Sequence, residues 1–434
     1  MKSIFSILVI VLLQNIVFAQ DYTSYFTGDV ADAIVSPLGG TCMMGGATEH
    51  DDAMKWFLER SAGGDILVIR ASGSDGYNDY LFSELGVSVN SVETIVFHNA
   101  QAAADDYVLE QIANAEAIWM AGGNQWNYVD YWRDNQVSQI INENIANKNM
   151  VIGGTSAGMA VLGGIYFTAQ FGTITSTTAL QNPYNNTFTI SKDSFFNVPF
   201  LQNIITDTHY DDPDRKGRHV AFLARAVKDW GVNAKGIACD EYTSVCIDND
   251  GKAYAFGDFP NYDENVYFLQ VNCVSPNEPE FCEAGFDLNW VRNNQAVKVY
   301  RIKAETTGNK YFDLNNWEEG SGGVWENWYV ENGIFNSNSG DPIDIVGCDL
   351  SFTKDILEEQ IEFFPNPMTD NFLQIKNELH QIDRVEIFDT QGKKVFEKNK
   401  KQYIYNIDFS SFSKGVYFVK VLSNDYFLTK KIIH

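Results

Sequence analysis

From about Ser36 to Tyr300, short apolar runs alternate with longer stretches whose apolar residues recur at helical spacing. This alternation predicts an α/β fold, a mostly parallel sheet with helices on both faces, because each strand buries both its sides only if helices cover them. The runs Ile66–Arg70, Thr94–Phe97, Ala117–Met120, Met150–Gly153 and Ile204–Asp207 read as strands, and Asp51–Ser61, Asp105–Asn114 and Val137–Asn147 as helices. In the last of these, Val137, Ile140, Ile141 and Ile145 lie on one face and would rest on the sheet.

The pattern changes twice further on. Residues 301–348 are rich in Trp, Asn, Gly and Glu and read as an appendage of strands and loops. After a polar linker at 349–361 the chain becomes short alternating strands: Phe372–Lys376, Val385–Asp389, Lys394–Lys398, Tyr403–Asp408, Gly415–Leu422 and Phe427–Ile433. Their spacing predicts a small all-β sandwich over 362–434. Within it, FFPNPMTDNFLQI (363–375), VEIFDTQGKKV (385–395), GVYFVKV (415–421) and the final KKIIH resemble the C-terminal sorting domain of type IX secretion. That resemblance implies the type IX machinery as a partner and passage over an outer membrane, to the cell surface or the medium.

The opposite end fits export. Residues 1–19 carry Lys2, an apolar run from Ile4 to Leu13, and Val17 and Ala19 at the spacing of a signal-peptidase site, so a signal peptide cleaved after Ala19 is expected. The run is shorter than a bilayer-spanning helix needs, and no later segment reads as a span. A formal charge of -26 repels nucleic acid and anionic lipid, which excludes polyanionic partners. An exported chain meets an oxidising compartment, and of the six cysteines Cys273 and Cys282 bracket a turn-like stretch and are the first candidates for a bridge.

The candidate chemistry sits in MVIGGTSAGMAVLGG (150–164), an apolar strand, a tight glycine turn and an apolar helix start. Gly154–Gly158 fit G-x-S-x-G, in which small neighbours let the chain turn sharply and raise the hydroxyl of Ser156 above the sheet. The N–H of Ala157, at the helix start, is the natural oxyanion donor. A serine at its own pKa is a poor nucleophile, so a histidine must take its proton and a carboxylate must orient that histidine. His50 and His98 precede the elbow, His219 falls within a helix, and His380 and His434 lie in the tail, which leaves His209 at the C-terminal end of a strand. Glu241, on a turn after Gly236–Cys239, is the candidate acid, with Asp240 beside it as competitor. A Ser–Asp–His order would instead need Asp193 or Asp207.

Five pieces add specificity: GGATEHD (45–51), AGGNQ (121–125), GGTSAG (153–158), DTHY (207–210) and GIACDE (236–241). Over roughly 40–275 they resemble the cyanophycinase and aspartyl dipeptidase family of serine peptidases, whose fold is similar to class I glutamine amidotransferases. The resemblance implies a peptidase domain over 36–300 and a triad of Ser156, His209 and Glu241, without metal or organic cofactor. It places Gln125 and Asp207 at active-site positions and a second oxyanion donor at the backbone around Gly123. It also implies a substrate containing aspartyl residues, a peptide or a cyanophycin-like polymer. The family pattern after the histidine has three arginines, and here Pro213 stands for the first while Arg215 and Arg218 remain. With Asp212 as N-cap and Pro213 as first helical residue, these two arginines would lie one turn apart as a carboxylate-binding corner. An esterase on the same triad, or a surface-displayed binding protein on a decayed enzyme scaffold, are the alternatives.

Overall fold

The computed structural model describes residues 20–193, 195–272, 277–341, 361–368, 371–377, 381–423 and 426–434. The expected signal peptide, Cys273, Cys348, His380 and nearly all of the 349–361 linker lie outside the described residues. The chain divides into two compact units, one ending at Ile343 and one beginning at Asp344.

The first unit is built on a mixed sheet of ten strands among the described residues. Its centre is parallel, in the order Ser91–Phe97, Asp65–Arg70, Ala117–Met120, Val151–Thr155 and Thr41–Met44. Tyr22–Gly28 closes one edge antiparallel, and Ser244–Ile247, Lys252–Phe256, Tyr311–Asp313 and Gly320–Ser321 continue the other. Thr41–Met44, Ala117–Met120 and Val151–Thr155 are buried along their whole length, as two-sided cover requires. Alternate residues serve alternate cores. Ile66, Val68 and Trp119 face the helix Asp51–Arg60 through its Ala53, Met54, Phe57 and Leu58, with the Phe57 and Trp119 rings 5.3 Å apart. Leu67, Ile69, Ile118 and Met120 face the helices Asp106–Asn114 and Gln136–Lys148, the latter burying Val137, Ile141 and Ile145 and packing Ile140 at its margin.

Caps set the helix bounds. The Asp105 carboxylate accepts from the N–H groups of Tyr107 and Val108 at 3.0 and 3.4 Å, so the helix begins at Asp106. Gln136–Lys148 ends where Asn149 turns left-handed at φ 54°.

A second sheet runs Ile334–Ser339, Gly323–Glu331, Val297–Lys303, Asn265–Val271, Lys235–Cys239 and Ile204–Asp207, with only the last pair parallel. Strands from the segment expected as an appendage therefore extend both sheets of this unit, Tyr311–Asp313 on one and Gly323–Ser339 on the other. Helix Lys216–Trp230 is buried over most of its length in the core of this second sheet.

The second unit is all β. Ile361–Phe364, Phe372–Asn377 and Ile404–Asp408 form one antiparallel sheet, and Lys394–Gln402, Ile382–Phe388, Val416–Ser423 and Tyr426–Ile433 another. Leu373, Ile375, Val385, Ile387, Val419 and Val421 share one core, the packing of a β-sandwich.

Candidate active site

Four chain turns meet at the C-terminal ends of parallel strands, where open α/β sheets place their sites. Two follow the paired strands Thr41–Met44 and Val151–Thr155, and two follow the paired strands Ile204–Asp207 and Lys235–Cys239. Ser156 takes φ 51° and ψ -114°, a conformation an L-residue enters only when the surroundings enforce it. The enforcement is visible at Gly158, where an added Cβ would lie 2.0 Å from the Met120 carbonyl oxygen, so the short helix Ala157–Ala160 is pressed against the strand Ala117–Met120.

The structure brings Ser156, His209 and Glu241 together. The Ser156 hydroxyl lies 2.8 Å from His209 Nε2, and His209 Nδ1 lies 2.5 Å from Glu241 Oε1. With a carboxylate at Nδ1, the imidazole proton sits on Nδ1 and donates to Glu241, which leaves the Nε2 lone pair to accept from the serine hydroxyl. His209 and Glu241 side chains are 24% and 25% exposed, so the imidazole reaches both the Ser156 hydroxyl and solvent. The other described histidines are engaged elsewhere: His98 with Thr23, His219 between Tyr210 and the Ile205 carbonyl, His50 beside Phe256, and His434 with Ser413 and Asn371.

The triad turns hang from one backbone segment. Met44, Gly45 and Gly46 present successive carbonyls that accept from Ser156 N–H at 3.1 Å, His209 N–H at 2.8 Å and Tyr242 N–H at 3.1 Å. Gly46 is indispensable to this crossbar because its φ is +118° and a Cβ there would lie 2.4 Å from His209 Cε1. The pattern GGATEHD contains these glycines, but nothing local in it reports that they brace three distant turns. Asp211, also missed by sequence reasoning, accepts from Glu241 N–H at 2.9 Å.

Asp240 points away from the histidine. Its Oδ2 accepts from Asn265 N–H and Nδ2, while Oδ1 has no partner, and burial pushes its carboxyl up to about 7. Asp193 bonds Ser191. Asp207 is occupied by Arg218, whose Nε donates to Oδ2 at 2.8 Å and whose second terminal nitrogen bonds Oδ1.

The arginine corner differs from the sequence expectation. The helix begins at Lys216 with Arg215 as N-cap, so Asp212 and Pro213 do not start it and the arginines do not share a helical face. Arg218 borders the cavity but is only 4% exposed, because its guanidinium is held by Asp207, Thr173 Oγ1 and the Ile174 carbonyl and stacks over Phe167. Burial pushes the Asp207 carboxyl up, but the charge and hydrogen bonds of Arg218 outweigh it and hold the group below its ordinary value. Arg215 is the uncommitted one: one terminal nitrogen donates to the Thr208 carbonyl at 2.9 Å, and its buried Nε has no partner. Burial first, then repulsion from Arg218, lower Arg215 to about 10, where it is still a cation at neutral pH.

A cavity of about 410 Å³ opens over Ser156 and His209 and is lined also by Gly123, Gln125, Ala157, Arg215 and Arg218. Gln125 donates through Nε2 to the Phe167 carbonyl, which fixes its amide in the wall. Gly123 precedes Asn124, whose side chain caps the helix Gln125–Trp132. Asp207 is not in the lining, whereas Trp126 and Thr173, which no motif signalled, are.

Residues 47–251 match peptidase family S51, and residues 362–434 match the secretion system C-terminal sorting domain. A cyanophycinase from Trichormus variabilis and one from a Nostoc species are each 22% identical over 177 residues, 41% of this chain and 53% of theirs. The chain thus spans about half the length of the curated relatives it matches. A crystal structure of a peptidase from an acI-B1 Actinobacterium is similar at 15% identity and a TM-score of 0.37, covering 51% of this chain and 89% of that one. No helix among the described residues is long and apolar enough to cross a membrane. The chain carries a peptidase family S51 region at 47–251 and a type IX sorting domain at 362–434, and it is exported to the cell surface or beyond.

Proposed function

We propose that the exported chain is a serine peptidase that cleaves aspartyl-containing peptides, with Ser156 as nucleophile, His209 as base and Glu241 as orienting acid. The observation that carries this reading is the unbroken relay of 2.8 and 2.5 Å from hydroxyl to imidazole to carboxylate at the mouth of the cavity. Ser156 Oγ attacks the amide carbonyl while His209 Nε2 takes its proton, and Glu241 stabilises the imidazolium. The oxygen that becomes negative meets the N–H groups of Ala157 and Gly123. His209 returns the proton to the departing amine as the C–N bond breaks, then draws a proton from the water that hydrolyses the acyl-enzyme.

Arg215 supplies the substrate preference in this reading. A guanidinium that lines the cavity and stays cationic at neutral pH fits an anionic side group, and a carboxylate pairs with it in a strong charge-assisted bond. An aspartyl residue matches that wall, in keeping with the cyanophycinase relatives, whose polymer is one candidate substrate. The second reading, a binding protein that has lost turnover, draws on Pro213 standing where the family pattern has an arginine.

A fluorophosphonate probe separates the two. Covalent labelling of the wild type and none of Ser156→Ala is the expected result; unlabelled wild type with a normal melting transition would establish the binder. Screening β-aspartyl-arginine, α-aspartyl dipeptides and cyanophycin by mass spectrometry then tests the substrate class, and cleavage of neutral peptides alone would remove Arg215 from its assigned role.

A further inference from the structure

In the core shared with the helix Asp51–Arg60, Cys42 and Cys246 stand directly opposite each other on the antiparallel strands Thr41–Met44 and Ser244–Ile247. Their sulfurs are 3.6 Å apart and both residues are fully buried. Gly45 N–H donates to the Thr243 carbonyl opposite it at 2.9 Å, so hydrogen-bonded pairs fall on Met43 with Val245, and Cys42 with Cys246 falls on a non-hydrogen-bonded pair. That position brings Cα atoms to about 4.5 Å, within the range a disulfide spans. The chain is exported, so these thiols pass through an oxidising compartment.

We propose that Cys42 and Cys246 form a disulfide in the exported protein. In bond terms, the two S–H groups lose two protons and two electrons as the S–S bond forms, and a protein disulfide of the oxidising compartment takes them up and becomes two thiols. The sulfurs, already 3.6 Å apart, have to close to the S–S bond length of about 2 Å. Burial pushes the Cys246 thiol well up, which suppresses the thiolate once the sheet has closed, so exchange with the oxidant precedes closure. Cys239 is the nearest rival, but its sulfur is directed to the Met43 carbonyl from the second sheet. The bond clamps the strand that leads into the Met44–Gly46 crossbar to the strand that follows Glu241 and Tyr242. The spacing between the histidine support and the acid-bearing turn is thereby fixed covalently.

The test uses the full exported chain, denatured in acid and alkylated without reduction. Cleavage at glutamate separates Cys239 from Cys246 by cutting after Glu241, leaving Cys246 in the fragment 242–264. A mass linking that fragment to the one containing Cys42, and vanishing on reduction, is the expected result. Alkylation of both Cys42 and Cys246 in the unreduced sample, or a link from either to another cysteine, would overturn the proposal. Thermal melting gives an independent reading: reductant present throughout denaturation should lower the wild-type Tm by roughly 10 °C, because the bond closes a loop of about two hundred residues. The Tm of Cys42→Ala/Cys246→Ala should fall less than that of the wild type on reduction, by roughly this 10 °C, and an equal response in both proteins would refute the assignment.

Discussion

Arg215 and Arg218 are three residues apart and alike in chemistry, but their partners differ. Arg218 neutralises a carboxylate that is itself nearly inaccessible, so its loss strands the Asp207 charge. Arg218→Met is expected to lower the unfolding free energy by about 3–5 kcal/mol, read by chemical denaturation. Arg215→Met leaves no buried charge behind; a rise in KM for aspartyl peptides of at least tenfold with little change in Tm is expected, and a KM unchanged against neutral controls would assign Arg215 a purely structural part. Asp240 offers a pH test. Its carboxyl is raised from 3.8 to about 7 by burial, so between those pH values the folded state holds a proton that the unfolded chain has released. Stability contributed by that proton is therefore lost as pH rises through the window and is flat above it. Asp240→Asn should be more stable than wild type at pH 8 by up to about 4 kcal/mol, with the gain shrinking toward pH 4, and it should retain turnover because the side chain turns from His209 to Asn265. Denaturation curves at both pH values check this. The sequence marked both arginines and the Asp240–Glu241 choice, but which guanidinium is held by Asp207 and which carboxylate reaches His209 depends on partners distant in the chain.

At the scale of elements, periodicity was a sound guide wherever one local rule governed the segment. Asp51–Arg60, Asp106–Asn114 and Gln136–Lys148 lie within two residues of their expected bounds because their caps and apolar faces are local. The helix after His209 starts later than Asp212 and Pro213 suggested, because the intervening residues serve the site: Thr208 carbonyl holds Arg215 and Asp211 holds the Glu241 turn. The crossbar Met44–Gly46 is likewise invisible to any local rule, since its three carbonyls serve turns far apart in sequence. Gly46→Ala is expected to push the His209 imidazole off Nε2–Oγ alignment and reduce kcat by at least a hundredfold with a smaller change in KM. Steady-state kinetics together with circular dichroism of the variant checks this; a folded variant with normal kcat would show that the turn yields without moving the histidine.

At the scale of the molecule, the two units have separate cores, and every residue of the triad and its cavity lies in the first. A chain ending at Ile343 should fold, label with the serine probe at the full-length rate and fail to reach the cell surface, as measured on purified protein and by cell fractionation. Loss of labelling in that truncated chain would tie the sandwich to the site.

By itself the sequence determined the α/β repeat, the β tail, the serine elbow and the export signal in the tail, since these rest on spacing, turn chemistry and motifs within a few tens of residues. Only the tertiary structure decided that strands past residue 300 complete both sheets, that Arg218 belongs to Asp207, and that one backbone segment supports all three triad turns. Those outcomes turn on long-range pairing and on which polar group is desolvated against which partner. No local pattern carries that information.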